Sequence, residues 1–586
     1  MPLTLYRNGS VYSAADPFAT AMLVDSGTVA WVGTEHAAAS LADQRMRQVD
    51  LGGALITPGF VDSHVHITET GIALASVDLT PALSLAEALA LLAAAATPSG
   101  TTGAGAAARR TSAAAAGSGA GPILGHGWDE TKWPEGRPPT ADELDRASGG
   151  REVYLSRIDV HSGVVSSALA ARAHLHGLDG WLGEGLVART AHAAARDATR
   201  TFSTAQRTAY QLRALHAAAA AGYVAVAEMS APHVGSAEDL QLLAALAAGS
   251  GGPSGTQPDS RPGAGPALPQ VLPYWGQAVS TAEEARSVLA GLGTEVLGLA
   301  GDLNIDGSIG SHSALLREPY ADAPGNRGTQ YLCVEQVTDH LAAASELGIQ
   351  AGFHLIGDGA MDIAVEGLRR AAARVGIEKV RAAGHRFEHV EMADDDAIAA
   401  LAAHSVTVSV QPYFDALWGG PGGLYQTRLG AARAAALNPI AAFYAAGVPV
   451  CFGSDAPVTP MNPWASVRAA LSHHQSAARI SARAAFLGHS RAGWRAARAR
   501  DPLLGQLVPG APASFAVWDV AELMVQVADD RVQSWSTDPR ARTPLLPALD
   551  AGEDPRCLQT VHRGVQLYSV PGFGAEAPGV EPSDGP

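Results

Sequence analysis

Lysine is nearly absent from this chain. Of 40 basic residues in 586, only Lys132 and Lys379 are lysines, so any chemistry that needs a lysine side chain falls to one of those two. Cysteine is almost as scarce. Cys333, Cys451 and Cys557 cannot build a disulfide framework and are not spaced as a zinc site. No run approaches the roughly 18 uninterrupted apolar residues of a membrane helix. Residues 1–11 lack the basic stretch and apolar core of a secretory signal. A soluble, cytoplasmic protein is therefore expected, without a membrane partner. Basic residues are also outnumbered, 40 against 57 acidic, for a formal charge of −17. A surface of that sign repels phosphate backbones and argues against nucleic acid as a partner.

Hydrophobic residues make up 47 % and charged residues 17 %, the balance of a globular protein. Residues 3–6, 21–24 and 29–32 read as short strands between Gly, Asn, Asp and Ser turns. An apolar strand over 55–65 ends in a polar cluster. Beyond it, β-like runs (153–158, 223–227, 270–274, 303–305, 351–355, 387–390, 406–410, 448–452) alternate with Ala-rich helical stretches (85–96, 205–220, 282–292, 335–347, 361–375). That alternation predicts parallel βαβ units. Residues 514–518 and 560–568 are β-like again, so both termini are expected to build one small sheet domain. Gly-, Ser- and Pro-rich segments at 97–122 and 249–269 read as surface insertions, and the tail after 571 as disordered. The expected division is 1–54 and 504–570 for a β-sandwich, 55–503 for the main α/β domain, and 571–586 for the tail.

The strongest chemical signal is Pro58-Gly-Phe-Val-Asp62-Ser-His64-Val-His66. Two histidines at spacing two on a strand share a face, and at a strand end they can converge on one metal ion. Taken alone, the pair could also be two unrelated polar residues. Three other sites repeat the context of a polar ligand after an apolar run: His354, His389 and Asp455. Parallel strands bring such ends to one mouth, where four imidazoles and a carboxylate suit one or two divalent ions.

These residues, in this order, resemble the metal-dependent amidohydrolase superfamily. More narrowly, the chain resembles amidohydrolase family 3, the YtcJ-like group that includes N-substituted formamide deformylases. Gly125-His-Gly-Trp128-Asp129, Arg157-Ile-Asp159-Val-His161, Asp306-Gly-Ser308-Ile-Gly310-Ser311 and Gln411-Pro412 support the narrower match. The resemblance implies a (β/α)8 TIM-like barrel with a β-sandwich from both termini. It also implies hydrolysis of an amide-like C–N bond by water activated at a divalent metal, zinc above all. His64, His66 and Asp455 would hold one ion and His354 and His389 a second, with Asp455 also moving the proton. His161 is the candidate to touch substrate or steady the oxyanion. A small-molecule substrate is expected, and a homodimer is left open.

One departure stands out. Where relatives carry a carboxylated lysine four residues before Asp-Gly-Ser, this chain has Asp302, and neither lysine is placed to help. An aspartate on the same backbone falls roughly 5 Å short. Glu228, at the end of another β-run, is therefore the favoured replacement ligand; Asp302, or a single-ion site with neither, are the alternatives. Asp358 could orient a ligand imidazole or cap a helix. Trp128, Trp133, Tyr413, Phe414 and Trp418 could line a pocket or simply be core. His126, His312, His385, His473 and His474 have no assigned role. A metal-dependent isomerase or decarboxylase, and a regulatory protein that lost catalysis, are the competing functions.

Overall fold

The computed structural model describes residues 3–97, 121–249, 267–526, 535–536, 544–549 and 553–574. Most of the low-complexity insertions and the tail fall outside the described residues. The architecture is mixed α/β. Two rows of parallel strands carry the site. In one, Tyr223–Ser230 lies between Phe60–Val65 and Gln270–Trp275. The other runs Gly298–Leu299, Gln350–Leu355, Arg386–His389, Thr407–Val410 and Val450–Phe452, in chain order. Every residue of Tyr223–Ser230 is buried, as expected of a strand covered on both faces.

The rows touch at both ends. A parallel bridge joins Val65 to Ala456, with the Asp455 N–H donating to the His64 carbonyl at 2.8 Å. At the opposite edge, the Leu297 N–H donates to the Pro273 carbonyl at 2.8 Å. Helices follow the strands, among them Thr204–Ala220, started by a Ser203/Gln206 capping box, Val334–Leu347 and Asp358–Val375.

The apolar run 55–65 is not one strand but two, divided at Gly59. Leu55–Pro58 joins a sheet with Ser10–Val11 and the C-terminal strands Phe515–Asp519, Arg556–His562 and Val565–Ser569, while Phe60–Val65 enters the parallel row. A Cβ at Gly59 would lie 2.2 Å from Val224, so the joint admits no side chain there without a shift. A second sheet of N-terminal strands, Thr28–Gly33, Ala21–Asp25, Thr4–Arg7 and Arg47–Asp50, shares one apolar cluster with the first. Met22, Val49, Ile56, Phe515 and Val561 all belong to it.

The strand expected near 153–158 does not extend the parallel rows. Val153–Arg157 sits in a separate five-stranded sheet with Val77–Asp78, Ile123–Trp128, Ser162–Val165 and Leu186–Ala188. A short turn, with Val160 in the left-handed region (φ 53°), returns it directly into an antiparallel neighbour instead of a crossover helix. Among the described residues, no helix is long and apolar enough to cross a membrane.

Candidate metal centre

Strand ends gather the expected side chains. His64 ends one strand and His66 caps the following helix; His354 and His389 sit at the ends of neighbouring strands, and Asp455 follows Val450–Phe452. The Asp455 Oδ1 atom lies 3.3 Å from His64 Nε2 and 3.4 Å from His66 Nε2. The His389 ring stands 4.9 Å from that of His64 and 4.4 Å from that of His354. His64, His66 and Asp455 form one group of atoms mutually close enough to share an ion; His64, Asp302 and His389 form another.

Backbone contacts set this register. Asp62, fully buried, accepts N–H bonds from Ser454 at 2.8 Å and His64 at 3.2 Å, tying the two ligand-bearing segments together. Burial raises its pKa to about 6. Gly453 is required by close approach: a Cβ there would meet the His64 backbone nitrogen at 2.5 Å.

Three imidazoles are each held by one nitrogen, leaving the other free. His64 Nδ1 bonds Glu388 at 2.8 Å, His389 Nδ1 bonds Gln411 Oε1 at 2.8 Å, and His354 Nε2 approaches the Gly307 carbonyl at 3.4 Å. These partners are acceptors, so the rings donate to them, and the remaining nitrogens are the atoms available to an ion. Those remaining atoms, His64 Nε2, His389 Nε2 and His354 Nδ1, are buried without a hydrogen-bond partner, as is Asp302 Oδ1. Burial alone would raise the Glu388 pKa, but the Arg386 guanidinium at 2.7 Å and His64 outweigh it and hold it at about 2. Burial likewise disfavours a charged His64, yet Asp455, Glu388 and Asp302 around it raise its pKa to about 10; the carboxylates that favour a proton on Nε2 would equally favour a metal ion in that proton's place. The pocket attracts positive charge.

Asp302 stands among the imidazoles, 3.1 Å from His66 Nε2, 3.4 Å from His64 Nε2 and 3.8 Å from His354 Nδ1. The backbone supplies the reach its side chain lacks. Gly301 adopts φ 107° against the Met229 backbone, and the Leu303 N–H bonds the Gly301 carbonyl at 2.8 Å, a tight turn centred on Asp302. Glu228 is engaged elsewhere: it accepts the Ile67 N–H at 2.7 Å and the Ser230 hydroxyl at 2.8 Å. Burial raises its pKa to about 7.

The other motifs build the wall around the centre. Asp306 accepts three backbone N–H bonds, from Leu315, Ile356 and Gly357, at 2.8 to 3.0 Å, fixing its loop to the segment after His354. Ser308 and Ser311 donate to Asp159, which pairs with Arg157 at 2.9 Å; Arg157 in turn binds Glu130. Gly310 has no room for a Cβ beside Arg157 and Asp159. His161 borders two cavities, one of about 670 Å³ that includes His66 and Asp302 and one of about 30 Å³ that includes His354, His389 and Asp455. Burial, with His354 5.3 Å away ring to ring, lowers its pKa to about 4.

Of the aromatics, Phe414 and Trp418 line the smaller cavity. Trp128 and Trp133 instead bury themselves in an apolar cluster of the five-stranded sheet, their indole N–H groups bonded to the Leu155 and Ala82 carbonyls. Tyr413 borders neither cavity. Asp358 opens a helix and accepts the Arg317 N–H at 2.8 Å. His385, His312, His473 and His474 have local partners, and His126 lines the larger cavity near Asp78. Sequence reasoning missed Glu388. The signal was Arg386-x-Glu388, a charged pair at strand spacing inside an otherwise apolar run.

A sequence model of the Amidohydrolase family matches residues 47–568. The chain is similar to Protein LONG AFTER FAR-RED 3 of Arabidopsis thaliana, 26 % identical over 544 residues, 88 % of each chain. It is also similar to the putative amidohydrolase YtcJ of Bacillus subtilis, 24 % identical over 489 residues, 80 % of this chain and 85 % of the other. An uncharacterized metal-dependent hydrolase from Pyrococcus furiosus shares the fold, with TM-score 0.63 and 23 % identity over 88 % of this chain and 98 % of its own. With the family match extending over most of the sequence, from before His64 to beyond Asp455, the chain belongs to the amidohydrolase family.

Proposed function

We propose that this protein is a metal-dependent hydrolase that cleaves an amide- or formamide-type C–N bond, with zinc as the metal. The observation that carries this reading is the set of buried lone pairs. Three imidazoles, each held by its other nitrogen, aim unpartnered atoms at the region occupied by Asp302 and Asp455. Apolar packing would not leave such atoms bare, and nitrogen and carboxylate donors of this kind suit zinc. His64, His66, His354, His389, Asp302 and Asp455 would hold one or two ions, with Asp302 in the position for which Glu228 was the first candidate. A divalent ion there supplies a lowered pKa for water and a polarised carbonyl.

The chain's own groups do the rest. Asp455 accepts the proton of the attacking water and returns it to the leaving nitrogen. His161, kept neutral by burial, faces the carbonyl oxygen as a hydrogen-bond donor. The smaller cavity, beside His354, His389 and Asp455, suits a small acyl group such as formyl, and the larger one suits the amine half. In this reading the eight parallel strands close into a (β/α)8 barrel, and the two sheets of terminal strands form a β-sandwich beside it.

The test is metal analysis of purified protein together with turnover of N-substituted formamides and N-acyl amines. Metal retention with amine release supports the proposal. Bound metal with rearranged or decarboxylated product favours the isomerase or decarboxylase reading. No retained metal, and no activity on adding Zn²⁺ or Mn²⁺, favours the regulatory one.

A further inference from the structure

The wall of the larger cavity carries charge that the metal centre does not use. Three guanidiniums line it: Arg189, Arg196 and Arg200. Arg189 is matched by Asp179, through two bonds of 2.9 Å. Arg200 makes a fork-to-fork pair with Glu69. Arg196 reaches only that same Glu69, at 3.5 Å, and among the described residues no second carboxylate pairs with it. One carboxylate cannot neutralise two guanidiniums, so this part of the wall keeps one positive charge; the remaining carboxylate of the lining, Asp302, is turned to the imidazoles of the metal centre. Arg196, Arg200 and Glu69 are only 14 to 20 % exposed, and solvent screens such a charge poorly.

Its position is informative. Glu69 lies on the helix Ile67–Ala73, three residues after His66, and side chains at that spacing are neighbours. The partner of the unmatched cation therefore stands one helical turn from His66, and Arg196 itself lines the same large cavity as His66 and Asp302. A single net charge matches a monoanion, and the planar fork of a guanidinium matches a carboxylate.

We infer that the amine half of the substrate bears a carboxylate bound by Arg196, which makes the substrate an N-acyl amino acid or a similar carboxylate-bearing amide. The reaction in this inference rests on the hydrolase reading; the preference for an anion is a binding property and stands apart from it.

A matched pair tests it: N-formylphenylalanine and N-formylphenethylamine, which differ by the carboxylate. Their binding to the zinc-loaded protein is measured by thermal shift and calorimetry, and their turnover by amine release. The wild type is expected to favour the carboxylate compound by about tenfold or more, the scale of one charge-assisted contact. Arg196→Gln should collapse that ratio toward one, chiefly through Kd or KM, and Arg196→Lys should restore part of it. Equal affinity in the wild type, or a ratio that survives Arg196→Gln, overturns the inference. Carboxylate-dependent binding without cleavage supports it while counting against the hydrolase reading. Cleavage of both compounds without preference does the reverse.

Discussion

Two buried polar clusters share the same mouth of the parallel strands, and they differ in what their atoms lack. Around Arg157, each guanidinium meets several carboxylates: Glu130, Asp159 and Asp129 about Arg157, Glu130 and Asp322 about Arg428. Around His64, the supporting contacts are equally complete, yet the inward atoms have no donor. The first cluster is matched charge for charge within the chain: Arg157 Nη1 and Asp129 Oδ2 lack a hydrogen bond, yet Nη1 lies 2.9 Å from the Asp159 carboxylate, cation against anion. The second gathers like atoms, imidazole nitrogens and carboxylate oxygens, and in the proposed function a cation completes it. Burial and charge do not separate the two; the direction of the unpartnered lone pairs does.

The contrast can be broken by substitution. The largest effect is expected at Asp455, where Asp455→Asn should lower kcat on a formamide by about 10² to 10⁴ in metal-saturated assays. A fall below tenfold would remove Asp455 from proton transfer. Next, Arg157→Met leaves buried carboxylates unpaired and should cost about 3–5 kcal/mol of stability, read as a lower denaturation midpoint with metal content retained. Loss of metal in that variant would merge the two clusters. Third, Asp302→Asn should weaken metal retention by more than about 100-fold, beyond the loss of a supporting contact, in a chelator titration, whereas Glu228→Gln should retain the metal. The reverse outcome would reinstate Glu228 as the ligand. Smallest, Glu388→Gln keeps the shape but removes the charge behind His64, and should weaken metal affinity about 10- to 100-fold.

How much of this was legible beforehand follows from where each residue draws its position. His64, His66, His354, His389 and Asp455 sit at or just after strand ends, so side-chain alternation and the βα rhythm located them. Asp302 comes within 3.1 to 3.8 Å of three imidazoles although its side chain, measured from an ordinary strand, falls short. The turn at Gly301 moves the backbone itself. Glu388 was overlooked because charges inside an apolar run read as noise until the third partner, His64, arrives from a segment 324 residues away. The division of 55–65 at Gly59, and the antiparallel return after Arg157, depend on pairing with distant strands that no local pattern encodes. For Trp128 and Trp133 pocket and core stayed open alternatives, because composition cannot tell which side of a sheet faces a cavity; the structure puts both in an apolar cluster.

The central claim is that these lone pairs surround a cation. Anomalous diffraction at the zinc edge, from crystals of protein purified with zinc and washed free of excess, tests it most directly. The account predicts a peak bounded by His64 Nε2, His389 Nε2, Asp302 and Asp455. Fully occupied crystals with no peak there, or with Asp302 turned away from it, would contradict the account.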